Sequence, residues 1–143
     1  MKKQTLLLII FIICMFSSCG LKEEIEPDNT INEKIDSYLI ENENLVLDEI
    51  LDSWEYVLID TTYHISTAFE ELNILNRNSI QNIPYQDEIL VLAFISDQKV
   101  YAYTFINDEN ERSILDKYIY QLTKETYPKG TIFKKTYSEV KRN

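Results

Sequence analysis

Asp60 and His64 stand four residues apart, and that spacing brings two side chains onto one face of a helix. A carboxylate that orients an imidazole is the arrangement of a general base. His64 is the chain's one histidine, however, and no glycine-framed serine stands ready to be activated by it. The pair is expected as an ordinary helix-face contact, and a small envelope hydrolase ranks last among the functional readings. The adjacent acids Glu23-Glu24, Asp48-Glu49, Glu70-Glu71 and Asp87-Glu88 could suggest glycosidase carboxylates or a calcium site. Neighbours on a helix point about 100° apart and do not converge. A calcium loop turns on a glycine and a phosphate cradle needs several, while Gly20 and Gly130 are the only two here. The acids are expected to be solvated faces, with no metal and no cofactor.

Tyrosine is the excess residue, ten in 143. In an extended strand, Tyr101, Tyr103 and Phe105 would alternate onto one face. Such a face could bind a glycan or a protein, because tyrosine offers flat apolar area with a polar tip. The competing reading packs it as core under a helix expected over 109–126, and a small sheet's need for one covered face favours that reading.

Lys2 and Lys3 open the chain, an apolar run extends from Leu6 to Phe16, and Phe16-Ser17-Ser18-Cys19 follows. This is the layout of a secretory signal peptide. The run is too short for a spanning helix, which needs about 20 apolar residues. The segment resembles the lipobox of bacterial lipoproteins, although Phe16 stands where leucine is commonest. The resemblance implies that residues 1–18 are removed and that Cys19 is acylated and anchored in the bilayer. Lys22-Glu23-Glu24 is similar to the surface-export signal of Gram-negative lipoproteins, which implies the outer membrane and exposure at the cell surface. The acidic stretch 19–29 is then a spacer of about ten residues, and 30–143 a single globular domain. Cys14 leaves with the signal and Cys19 carries lipid, so that domain has no thiol for a disulfide, a metal or a nucleophile.

A hydrophobic content of 45% suits a folded chain rather than a disordered one. Residues 29–97 hold two basic against fourteen acidic side chains, a net of −12, whereas 98–143 hold nine against six, a net of +3. That imbalance argues against nucleic acid and favours a cationic protein partner.

The elements that must position these residues read as α+β. Ile31, Ile35, Tyr38 and Leu39 recur at helical spacing from Thr30, with Asn29 or Thr30 as N-cap and Glu33 completing a capping box. A second stripe through Leu47, Ile50, Leu51, Trp54, Val57 and Leu58 predicts a helix whose outer face carries Asp48, Glu49, Asp52 and Glu55. The stripe continues as helix to about Asn76, with a short strand at Tyr56–Ile59 as the alternative. Glu88 to Ser96 reads as a strand buried on both faces, Asp97-Gln98 as a tight turn, and Lys99 to Ile106 as the returning strand. A helix over 109–126 and a strand over Thr131–Tyr137 complete two or three N-terminal helices followed by a ββαβ unit with a small antiparallel sheet. The expected function is a membrane-tethered, non-catalytic binding lipoprotein of the envelope, in its concrete form an immunity or inhibitor protein. An accessory subunit of a glycan-uptake or secretion complex, binding through Tyr101 and Tyr103, is the alternative.

Overall fold

The computed structural model describes residues 24–80, 83–84, 89–106 and 125–134. Cys19, Lys22, Glu23 and most of the helix expected over 109–126 lie outside the described residues. Helix α1 spans Thr30–Glu41 and leads into strand β1 (Asn44–Val46), then a turn of 3-10 helix at Leu47–Glu49. Strand β2 (Tyr56–Thr61) and helix α2 (Ile65–Glu71) follow, then strands β3 (Leu90–Ser96), β4 (Lys99–Ile106), β5 (Glu125–Pro128) and β6 (Ile132–Lys134). The fold is α+β, with two helices and two small antiparallel sheets. One sheet has the order β4-β3-β2-β5 and the other joins β1 to β6.

The four-stranded sheet is covered on both faces. Val57, Ile59, Leu92, Phe94 and Ile106 turn to one side, where Ile31 and Ile35 of α1 join Leu45, Leu47, Ile50, Trp54 and Phe133. Leu58, Val91, Ala93, Ile95 and Tyr103 turn to the other, against Ile65, Ala68 and Phe69 of α2 and Ile74. β3 is therefore buried on both faces, as its unbroken apolar run predicts. Each fully buried Leu, Ile or Phe side chain adds about 1.5–3 kcal/mol. Trp54 meets the Phe94 ring edge-on at 5.5 Å and its indole N–H donates to the Leu51 carbonyl at 2.7 Å.

The second helix expected from the stripe at Leu47 is absent. A 3-10 turn, a loop and strand β2 occupy Leu47 to Thr61, so the short-strand alternative matches the element found. Leu47, Ile50, Trp54 and Val57 all enter one core cluster, so the stripe marked burial but not helix. Ser53 adopts a left-handed φ of 65°, which an α-helix cannot contain. β2 then runs through Tyr56, Val57, Leu58 and Ile59, whose aromatic and branched side chains fit a strand clasped between two neighbours. The cap of α1 also differs from the expected box. Asp28 accepts from the Thr30 N–H at 3.0 Å and from its hydroxyl at 2.6 Å, while Asn29 makes no side-chain cap bond.

The described N-terminal residues are docked rather than free. Ile25 bridges Ile80 in parallel, its N–H donating to the Ser79 carbonyl at 2.9 Å. The Tyr103 hydroxyl donates to the Ile25 carbonyl at 3.2 Å, and the Asp28 N–H donates to the Tyr103 carbonyl at 2.8 Å. No described helix is long and apolar enough to cross a membrane.

Candidate functional site

Asp60 and His64 do not share a helix. Asp60 lies on β2 and is fully buried, whereas His64 is the N-cap residue of α2. The Asp60 carboxylate accepts from the Thr61 N–H at 2.7 Å, and its Oδ1 stands 3.9 Å from His64 Nδ1. Thr61 Oγ1 is nearer to that nitrogen, at 3.2 Å. Tyr63 meets the imidazole edge-on at 4.9 Å. The strand end and the helix start thus hold the imidazole by its Nδ1. This is a local lock on the β2–α2 corner, at the sheet end where Thr61 pairs with Leu90.

Asp48, Glu49, Asp52 and Glu55 form no helical face, because their segment is a 3-10 turn followed by a loop. The Asp48 carboxylate accepts the Gly130 N–H at 3.1 Å. Gly130 holds a φ of 86° in the β5–β6 turn, a conformation that suits glycine. The Glu55 carbonyl accepts the Lys129 N–H at 2.8 Å, and the Glu55 N–H donates to the Ile95 carbonyl at 2.8 Å. Lys129 Nζ stands 6.0 Å from the centroid of the Trp54 ring. Glu49, Asp52 and Glu55 remain exposed.

Tyr101 and Tyr103 also part company. Phe94 pairs with Ala102 and Ile95 with Val100, so Tyr101 is an extra residue with no partner across the ladder. This β-bulge shifts the alternation and re-aims the side chain. Tyr101 is 53% exposed, while Tyr103 is 0% exposed and meets Phe105 edge-on at 5.4 Å. The single aromatic face expected from alternation does not exist; Tyr103 and Phe105 are core and Tyr101 is surface.

Tyr101 lies beside a groove of 660 Å³ at the tip of the β3–β4 hairpin. Its described lining includes Glu24, Glu26, Asp97 and Lys99, together with Asn76 and Val100. The last two are tied together. Asn76 donates from Nδ2 to the Val100 carbonyl at 2.9 Å and accepts the Val100 N–H on Oδ1 at 2.8 Å. Its amide thus stands in for one rung of a neighbouring strand and blunts the edge of β4. Burial, and then the Glu26 charge, push the Tyr103 phenol up to about 12. Burial first, and then the hydrogen bond and charge of the Glu125 carboxylate, also raise the Tyr127 phenol. Both phenols therefore stay protonated near neutrality and cannot act as bases.

A second, shallower groove of 540 Å³ runs between α1 and the 3-10 turn, lined by Glu33, Lys34, Glu41 and Glu49. A third, of 130 Å³, lies beside Phe69 and Arg77. None of the three is lined by Asp60 or His64. Among the described residues no group of three or more His, Cys, Asp and Glu side chains is placed to hold a metal ion. Sequence reasoning missed Asn76, Glu24, Glu26 and Asp97 as neighbours of Tyr101. An asparagine in a loop carries no signal of which strand edge it will cap. No protein-family model, curated protein or solved structure matches the chain.

Proposed function

We propose that this chain is a non-catalytic binding lipoprotein, tethered to the bacterial outer membrane through an acylated Cys19, whose acidic surface takes a cationic protein partner. The observation that supports it most is the clustering of acids along one end of the sheet. Glu55 hydrogen-bonds Ile95 beside the Asp97 turn, and Asp48 and Asp52 belong to the same connecting segment. Glu24, Glu26 and Asp97 line the same groove. Complementary charge of this kind raises association rate and selects partners. An inhibitor or immunity protein is the concrete form. The docked N-terminus shortens the spacer, since only the stretch between Cys19 and Glu24 is left to span. At about 3.3–3.6 Å per residue its reach is ~18 Å, which holds the domain close against the bilayer.

The helical periodicity through Ile114, Leu115, Tyr118, Ile119 and Leu122 supports a helix between β4 and β5. Glu125 and Thr126, expected in that helix, belong instead to β5, and the strand expected over Thr131–Tyr137 is represented by β6, which pairs with β1 in the other sheet. The accessory-subunit alternative now rests on Tyr101 alone, because Tyr103 is core.

The test is capture of a partner from envelope extract by the full chain in detergent, followed by elution in a salt gradient. A cationic protein should elute below about 0.5 M salt, where surface charge is screened. The combined Glu49→Lys, Asp52→Lys and Glu55→Lys variant should lose it. Asp48 is left in place because it holds Gly130. A partner retained by the variant and indifferent to salt overturns the reading.

A further inference from the structure

We propose that the groove lined by Tyr101 is the docking site for a short, basic, extended segment of a protein partner, whose arginine or lysine side chain is taken up by the Tyr101 ring together with the Glu26 and Asp97 carboxylates. The inference rests on the reading of this chain as a binder of cationic proteins and names where the contact is made.

Four observations converge on the groove. Its 660 Å³ falls within the ~300–1,000 Å³ of ordinary ligand sites. Among the described residues its lining carries three carboxylates, Glu24, Glu26 and Asp97, and one ammonium, that of Lys99. The bulge in β4 removes Tyr101 from the ladder and leaves this tyrosine 53% exposed in the lining of the groove. An exposed tyrosine ring in the same groove as carboxylates suits a guanidinium or ammonium, which the ring face and the carboxylates attract together. Finally, Asp97 is held at a left-handed φ of 51° within the tight turn, so its position at the rim is fixed by the backbone.

The same geometry sets how a peptide would be read. Asn76 occupies both main-chain groups of Val100, and Asp28 occupies the Tyr103 carbonyl. An incoming strand cannot pair with β4 at those points, so recognition falls to side chains. Phosphate headgroups of the bilayer are repelled by the same three carboxylates, which leaves a basic protein segment as the occupant. The docked residues Ile25 to Asp28 set this groove beside the start of the tether, so the segment belongs to a partner held near the membrane.

The test uses fluorescein-labelled hexaarginine and the full chain in non-ionic detergent, read by fluorescence anisotropy. Saturable binding that weakens with salt is expected. Tyr101→Ala should weaken it about fivefold, and Tyr101→Phe should restore it, since the ring face and not the hydroxyl is used. The Glu26→Gln and Asp97→Asn double variant should weaken it and flatten the salt dependence. Unfolding midpoints within error of the parent exclude loss of fold. Binding lost in the Glu49→Lys, Asp52→Lys and Glu55→Lys variant but kept in Tyr101→Ala would overturn the groove and leave the wider reading standing. Absence of any salt-sensitive binding would overturn both. A dimer in light scattering that Tyr101→Ala dissociates, with hexaarginine affinity unchanged, would assign the groove to a second copy and overturn the proposal.

Discussion

Two tyrosines two residues apart meet opposite fates, and a single inserted residue separates them. Tyr103 is sealed between Ala93, α2 and the docked Ile25, and its hydroxyl donates to a main-chain carbonyl. Ionising it would strand a charge in an apolar site beside Glu26, which is why its pKa rises from 10.0 to about 12. The consequence for stability has a definite sign. The unfolded chain gives up this proton near pH 10 and the folded chain holds it to about pH 12, so the folded state binds more protons between them. Stability is full below pH 10 and falls as pH rises towards 12. Urea unfolding measured from pH 8 to pH 11.5 should show a smaller alkaline loss in Tyr103→Phe than in the parent, at a cost of about 1 kcal/mol at neutral pH for the lost hydrogen bond. Equal alkaline slopes would refute the assignment. Burial of one tyrosine was legible, because a small sheet needs a covered face. The bulge was not, because nothing in Lys99 to Phe105 distinguishes a strand with an extra residue from one without.

The β3–β4 hairpin was the clearest element in the sequence and is the clearest in the structure, yet its turn lacks the usual residues. Asp97 and Gln98 hold φ values of 51° and 56°, the doubly left-handed arrangement that matches the twist of a two-residue hairpin. Asparagine and glycine adopt it readily, but glutamine resists it because its Cβ crowds the backbone. Packing overrides that preference, since the Gln98 carbonyl accepts the Leu75 N–H at 2.8 Å. Gln98→Gly keeps this main-chain bond and relieves the strain, so it should stabilise the domain by about 0.5–1 kcal/mol. The expected signature is a higher urea midpoint with an unchanged slope; a lower midpoint would show that the glutamine side chain contributes more than the strain costs. The segment from Leu47 to Thr61 taught the opposite lesson. Its apolar spacing suits a helix and a wrapped 3-10 turn plus strand equally well, because both place Leu47, Ile50, Trp54 and Val57 on one core.

At the scale of the molecule, the N-terminal residues are part of the fold. Ile25 packs beside Tyr103 and Ile80, and the chain then follows the edge of β4 to Asp28 and on into α1, where Asn32 Nδ2 donates to the Phe105 carbonyl at 2.7 Å. This strap ties the start of the tether to the sheet and closes part of a strand edge that would otherwise invite pairing. Ile25→Asp should release it, because a carboxylate does not tolerate that apolar seat. Limited digestion with a glutamate-specific protease should then cut at Glu24 and Glu26 several times faster than in the parent, while the core from α1 onward resists. Equal cutting rates would mean that the strap contributes no protection. What the sequence determined by itself was local and compositional: the acidic imbalance, the scarcity of glycine, the first helix, the β3–β4 hairpin and the lipobox-like start. Each follows from residue type or short-range spacing. Only the tertiary structure decided that Leu47 to Thr61 leaves the helix, that Tyr103 is core while Tyr101 is surface, and that Glu24, Glu26 and Asp97 line one groove. Those outcomes depend on which strands become neighbours and on the burial of a sheet from both sides, and contacts between residues more than seventy positions apart leave no periodic trace in the chain.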